Sequence, residues 1–142
     1  MPRLHRTITV PSSLEDAFEY VADFSRVAEW DPGVSRSSQT TEGGVGAGAT
    51  YAVEAVFGTR TIPMTYTTTT FERPHRIVLR GTGATLTAID EITFRTTAAG
   101  TAIDYVADIR LVWWMRVIEP LLHGRFQSLA DEALAGLEAA LS

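Results

Sequence analysis

The chain has 142 residues, 45% hydrophobic and 20% charged, a balance that fits one folded unit with a sizeable core. Its net charge of −5 argues against a nucleic-acid surface, and the absence of both cysteine and lysine excludes thiolate nucleophiles, Cys-ligated zinc and Schiff-base chemistry. No apolar run reaches the ~18 residues of a membrane span and Met-Pro-Arg-Leu-His-Arg is no signal peptide, so the expected location is cytoplasmic.

In chain order, Leu4 to Val10 predicts a first strand with Leu4, Ile8 and Val10 on one face, interrupted by Arg6. Pro11 closes it. Ser12-Ser13-Leu14-Glu15 then predicts a capping box, in which the Ser12 hydroxyl and the Glu15 carboxylate satisfy backbone N–H groups at a helix start. Leu14, Ala17, Phe18, Val21 and Ala22 follow at helical spacing as one buried stripe. Asp23 to Trp30 gives a second short helical turn. Asp31-Pro32-Gly33 ends it, because Pro32 disfavours helix at Asp31 and Gly33 permits positive φ.

Strands then alternate with turn signals: Val34 to Thr40, Thr50 to Phe57, Thr61 to Glu72, Arg76 to Arg80, Leu86 to Thr96 and Thr101 to Leu111. The stretch Gly43 to Gly48 lacks the Lys of a Walker A loop and precedes a strand rather than a helix, so it reads as a flexible hairpin. Sequential hairpins are the economical topology. Alternation puts Tyr51, Val53, Ala55 and Phe57 on one side, with Ile62, Met64 and Tyr66, Ile77 and Leu79, Leu86, Ile92 and Phe94, and Ile103, Tyr105, Ile109 and Leu111 continuing that face. Thr67 to Thr70 favours a strand without revealing which face is buried. The stretch from Arg116 to Leu141 is the one long amphipathic helix available to cover the sheet, with Leu122, Phe126, Leu129, Ala133 and Leu137 as its apolar stripe.

The segment Phe-Ser-Arg-Val-Ala-Glu-Trp-Asp-Pro-Gly-Val from Phe24 to Val34 resembles the START-like (SRPBCC) superfamily, which includes polyketide cyclases and dehydratases, birch-allergen-type proteins and lipid carriers. The resemblance continues through Phe71-Glu72-Arg73-Pro74-His75-Arg76-Ile77, Ala99-Gly100-Thr101, Glu119-Pro120-Leu121-Leu122 and Ala133-Leu134-Ala135-Gly136-Leu137, and so spans essentially the whole chain. It implies one helix-grip domain over residues 1–142, of α+β class. In that fold a seven-stranded antiparallel curved sheet wraps a long C-terminal helix, two short helices follow the first strand, and a cavity inside holds an apolar ligand. It does not deliver a reaction, because one fold of this kind serves carriers, cyclases, sensors and regulators.

Face assignment and resemblance together give Trp30, Tyr51, Val53, Met64, Tyr66, Leu79, Ile92, Tyr105, Trp113, Leu122 and Phe126 as expected ligand contacts. Trp30 is either a residue of the cavity mouth or a hydrophobic plug. Trp113 and Trp114 cannot both point inward on a strand, so one is expected at the entrance and the other exposed or packed. Asp90 shares the parity of Leu86 and Ile92, which would make it a desolvated base; a one-residue slip would turn it to solvent, and that placement is the favoured expectation. His123 and Arg125 flank the expected cavity wall.

The first functional expectation is a cofactor-free binder of a small hydrophobic molecule such as a polyketide or lipid, acting as a monomer or homodimer without nucleic acid, metal or cofactor. The second is a polyketide cyclase or dehydratase, in which Asp90 or His123 removes a proton and Tyr66 or Tyr105 hydrogen-bonds the enolate. The third is a protein-interaction or toxin-antitoxin component whose cavity is filled by side chains. His5, His75 and His123 show no metal-ligand spacing.

Overall fold

The computed structural model describes residues 3–142. Its elements are β1 (Arg3–Val10), α1 (Leu14–Ala22), a 3₁₀ turn at Phe24–Arg26, α2 (Val27–Trp30), β2 (Val34–Gln39), β3 (Thr50–Phe57), β4 (Arg60–Glu72), β5 (Arg76–Thr82), β6 (Leu86–Thr97), β7 (Gly100–Leu111), a second 3₁₀ turn at Trp113–Ile118 and α3 (Glu119–Ala140). The strands form one curved antiparallel sheet in the order β1-β7-β6-β5-β4-β3-β2. The expected strand sequence and hairpin connectivity are therefore the observed ones, with β1 returning to pair with β7 at the far edge.

Period-2 patterning explains the core. Tyr51, Val53, Met64, Ile77, Leu79, Ile92, Phe94 and Ile103 join one buried cluster with Phe18, Val21, Phe24, Val27 and Trp30 from the short helices and with Leu134 and Leu137 from α3. Phe18 sits edge-on to both Phe71 and Phe94 at 5.3 Å between ring centroids, a geometry that aligns ring edges with neighbouring faces. Within Thr67 to Thr70 the ladder shifts register between Thr68 and Thr70, and Thr68 is the one turned inward and buried.

Two boundary expectations are corrected. The cap of α1 is Ser13, whose extended backbone precedes the first helical residue and whose side chain accepts from the Asp16 N–H; the Ser12 hydroxyl instead donates to the Leu141 carbonyl at 2.6 Å. Ser12 thus ties the start of α1 to the end of α3. The C-terminal α-helix begins at Glu119 rather than near Arg116, because Pro120 occupies its first turn and has no N–H to continue an earlier helix.

Helix α3 approaches α2 closely at one point. A Cβ on Gly136 would overlap the Trp30 carbonyl oxygen, so only glycine permits this crossing. That contact fixes α3 over the sheet and leaves the space between its N-terminal half and the far strands unfilled.

Candidate functional site

The unfilled space is a cavity of about 170 Å³, comparable with the ~150 Å³ apolar cavities that admit benzene. Its sheet wall comes from inward positions, including Leu4 of β1, Ile62 and Met64 of β4, Leu86 and Ala88 of β6, and Ala107 and Ile109 of β7. Phe126, Leu129, Ala130, Ala133 and Leu134 of α3 close it from the other side. Glycines on and just after β5 make room for two lining side chains: a Cβ on Gly81 would lie 2.6 Å from the Tyr66 ring, and one on Gly83 would collide with the Met64 sulfur.

Polar groups enter this apolar space from β1, β4, β6, β7 and the turn after α2. Asp90 is 6% exposed and lines the cavity. This corrects the favoured expectation of a solvent-facing Asp90. Here β6 pairs with β5 and β7 in unbroken register, with Leu79, Asp90 and Ala107 side by side, so no bulge rotates the chain. The Tyr105 hydroxyl donates to Asp90 Oδ2 at 2.5 Å. Burial pushes the Asp90 carboxyl up to about 6, against the lowering effect of that hydrogen bond and with a further rise from the charge of Asp31.

Asp31 also lines the cavity, and sequence reasoning treated it only as a turn residue. Its Oδ1 accepts from the Gly33 N–H at 2.8 Å. Burial raises its carboxyl to about 6, opposed by the Gly33 hydrogen bond and assisted by Glu132. Tyr66 and Tyr105 are held well above the ordinary phenol range, by burial first and by the charges of Asp90 and Asp31 next, so both remain hydrogen-bond donors at neutral pH. Tyr66 makes no side-chain hydrogen bond among the described residues, which leaves its hydroxyl free to serve a guest. The lining cation, Arg6, is held by Asp131 of α3 at 2.5 Å and by the His5 carbonyl.

Of the expected contact residues, Met64, Tyr66, Tyr105 and Phe126 line the cavity together with Asp90. Tyr51, Val53, Leu79 and Ile92 lie outside it, sealed into the cluster that α1 and α2 fill from the other half of the concave face. Trp30 is likewise buried in that cluster, edge-on to Tyr105 at 6.4 Å, and so takes the plug role rather than the mouth. Leu122 is half-buried beside the Leu4, Leu111 and Phe126 cluster but does not reach the cavity lining. Trp113 and Trp114 are both exposed, since the chain leaves the sheet at Val112 and turns into a 3₁₀ segment with no buried residue. His123 is exposed on α3 beside Gln127 at 3.0 Å and lies away from the cavity, and Arg125 stacks on the Phe57 ring at 5.2 Å. Among the lining positions that sequence reasoning did not assign to the cavity are Arg6, Asp31, Ala88, Ala107, Ala130 and Leu134; Arg6 carried a signal, as the charge interrupting the inward-facing pattern of β1.

No group of three or more His, Asp or Glu side chains suited to a metal ion occurs among the described residues. No helix among them is long and apolar enough to cross a membrane.

A family model described as polyketide cyclase/dehydrase and lipid transport matches residues 1–142. Among solved structures, the chain is similar to a START superfamily protein from Mycobacterium smegmatis, with 12% identity, a TM-score of 0.83, and coverage of 98% of this chain and 96% of that one. It is also similar to the Zhui aromatase/cyclase from Streptomyces sp. R1128, with 14% identity, a TM-score of 0.82, and coverage of 98% and 92%. No match was found among curated proteins. At these identities the structural likeness is one of fold.

Proposed function

Because the chain belongs to the polyketide cyclase/dehydrase and lipid transport family, we propose that it binds a small, neutral, apolar molecule carrying a hydroxyl or enolisable carbonyl at one end. The observation that carries this reading is the Asp90–Tyr105 pair, buried in a space walled mainly by apolar side chains, with Asp31, Tyr66 and the paired Arg6 as its other polar groups. Apolar area gives the affinity at ~25 cal/mol per Å², and the few polar groups fix orientation. A cavity of about 170 Å³ encloses roughly one ring, so a longer guest would extend beyond it. Two carboxylates face the space and its one cation is already paired, so an anionic guest is disfavoured. An open cavity also weighs against the interaction-protein expectation, in which side chains fill it. Native mass spectrometry of protein purified without denaturant tests the reading: one bound apolar molecule per chain is expected, and a charged or strongly polar adduct would overturn it.

A cyclase or dehydratase is the second reading, and one specific observation favours it: a desolvated carboxylate and a free phenol share the cavity. Asp90 with its carboxyl near 6 is mostly ionised at neutral pH yet basic enough to take a proton from carbon activated by a neighbouring carbonyl. The C–H electron pair then moves into the enolate, whose oxygen accepts a hydrogen bond from the neutral Tyr66 hydroxyl. On a β-hydroxyketone the enolate electron pair then forms a C=C bond as the β C–O bond breaks, the carbonyl is restored, and Asp90 gives its proton to the departing hydroxyl, which leaves as water. His123 has no part in this scheme, because it lies outside the cavity. Dehydration of a β-hydroxyketone probe by the parent protein, lost in Asp90→Asn with binding retained, is the expected outcome; undiminished conversion by the variant would remove Asp90 as the base.

A further inference from the structure

We propose that the segment from Trp113 to Leu121 docks the protein onto the surface of an anionic lipid bilayer, with the cavity opening toward that surface. Four large apolar side chains, Trp113, Trp114, Val117 and Leu121, are between 58% and 82% exposed within nine consecutive residues. Single exposed apolar residues need no explanation, but a contiguous group including two indoles is a surface built for contact. Indole rings place an apolar body and one N–H at the boundary between acyl chains and water, which is where tryptophan partitions.

Charge selects the occupant. The chain carries −5 overall, yet exposed Arg110, Arg116 and Arg125 lie in and beside this segment, and exposed Arg60 pairs across the β3–β4 hairpin with Phe57, whose ring Arg125 covers. Between Asp108 and Asp131 the sole carboxylate is Glu119, and its Oε1 is buried. An apolar wedge edged with arginine matches an anionic headgroup layer above acyl chains. A second copy of the chain is a poorer fit, since a two-fold contact would set the same arginines against each other.

Continuity with the cavity points the same way. Met115, on this segment, and Leu122, just after it, pack against the cluster of Leu4, Leu111 and Phe126, as do Phe57, Leu86 and Ile109; of these, Leu4, Phe57, Leu86, Ile109 and Phe126 also line the cavity. An apolar molecule leaving the bilayer at this face therefore meets apolar side chains all the way in.

Co-sedimentation of the full chain with vesicles tests this, using phosphatidylcholine with phosphatidylglycerol against phosphatidylcholine alone. The expected result is binding to the anionic vesicles that weakens with salt and by about fivefold per arginine in Arg116→Gln and Arg125→Gln. Trp113→Ala combined with Trp114→Ala should lower it at least about tenfold. Val117→Asp combined with Leu121→Asp should do the same should the tryptophan variant fold poorly, with circular dichroism reporting the fold of each. Brominated acyl chains should quench the tryptophan fluorescence of the bound parent protein. Equal binding to neutral vesicles, no loss in either variant pair, or tryptophan-dependent self-association in sedimentation equilibrium would overturn the proposal, the last by showing that another copy covers this face. Vesicle binding needs no cavity guest, so its failure leaves the proposed ligand reading standing, and the reverse also holds.

Discussion

The Tyr105 hydroxyl and Asp90 Oδ2 meet at 2.5 Å inside an apolar cavity, joining adjacent strands β7 and β6 through one short polar contact. The pair places the titratable group where a guest would touch it. It also makes the cavity sensitive to pH, since the Asp90 carboxyl stands at about 6 in the folded chain against an ordinary value of 3.8.

A raised carboxyl means the folded state holds its proton more tightly than the unfolded state does. Stability contributed by protonated Asp90 is present below about pH 4 and is lost as pH rises through about 6, after which the buried charge is a constant penalty. Asp90→Asn removes that charge and keeps an oxygen for Tyr105. In urea titrations the variant should exceed the parent by about 1–3 kcal/mol near pH 8 and show no such gain near pH 4. Asp31, raised for the same reason of burial, will leave part of the pH dependence in the variant. A variant weaker than the parent at both pH values would show that the amide disrupts the site more than the charge did.

Gly136 and Gly124 lie on one helix and make opposite predictions. A methyl on Gly136 overlaps the Trp30 carbonyl, whereas one on Gly124 meets nothing within 4 Å. Gly136→Ala should therefore cost about 3 kcal/mol or more as backbone is forced apart. Gly124→Ala should stabilise by about 0.5–1 kcal/mol through helix propensity alone. Thermal melts of the two variants suffice, and a neutral Gly136→Ala would mean that α3 does not dock through this contact.

Phe18 and Phe126 divide the interior into sealed core and cavity wall. Phe18 has no exposure and packs between two rings, so Phe18→Ala should lose ~3–5 kcal/mol. Phe126 faces the cavity and already lacks partners on that side, so Phe126→Ala should lose less and alter guest binding more. Equal urea midpoints for the two variants, or unchanged binding in the second, would contradict the division.

The sheet was readable from the sequence because the strands keep a two-residue period from Tyr51 through Leu111, apart from the shift at Thr68–Thr70, and each corner carries Gly or a Pro. The same parity placed Asp90 inward, and only the allowance for a slip argued otherwise; register is a property of pairing with β5 and β7, which one strand cannot reveal. How the concave face is shared was not readable. Tyr51, Val53, Leu79 and Ile92 have the same pattern as Met64 and Tyr66, but α1 and α2 cover the first group and leave the second bordering space. Asp31 looked like turn chemistry because its hydrogen bond to Gly33 is turn chemistry; its place in the cavity comes from α3 lying across it. Of Trp113 and Trp114, one was expected at the entrance by continuing strand alternation past Leu111; the chain leaves the sheet at Val112 and both are exposed.

The most direct test of the cavity reading is an NMR titration with 2-naphthol, a neutral two-ring molecule whose hydroxyl can donate to Asp90. The account predicts saturable one-to-one binding with shifts concentrated at Tyr66, Ala88, Tyr105 and Phe126, retained with only modestly lower affinity in Asp90→Asn. Unsaturable binding, or shifts centred on Trp113 and Leu121 with the cavity residues unmoved, would contradict it.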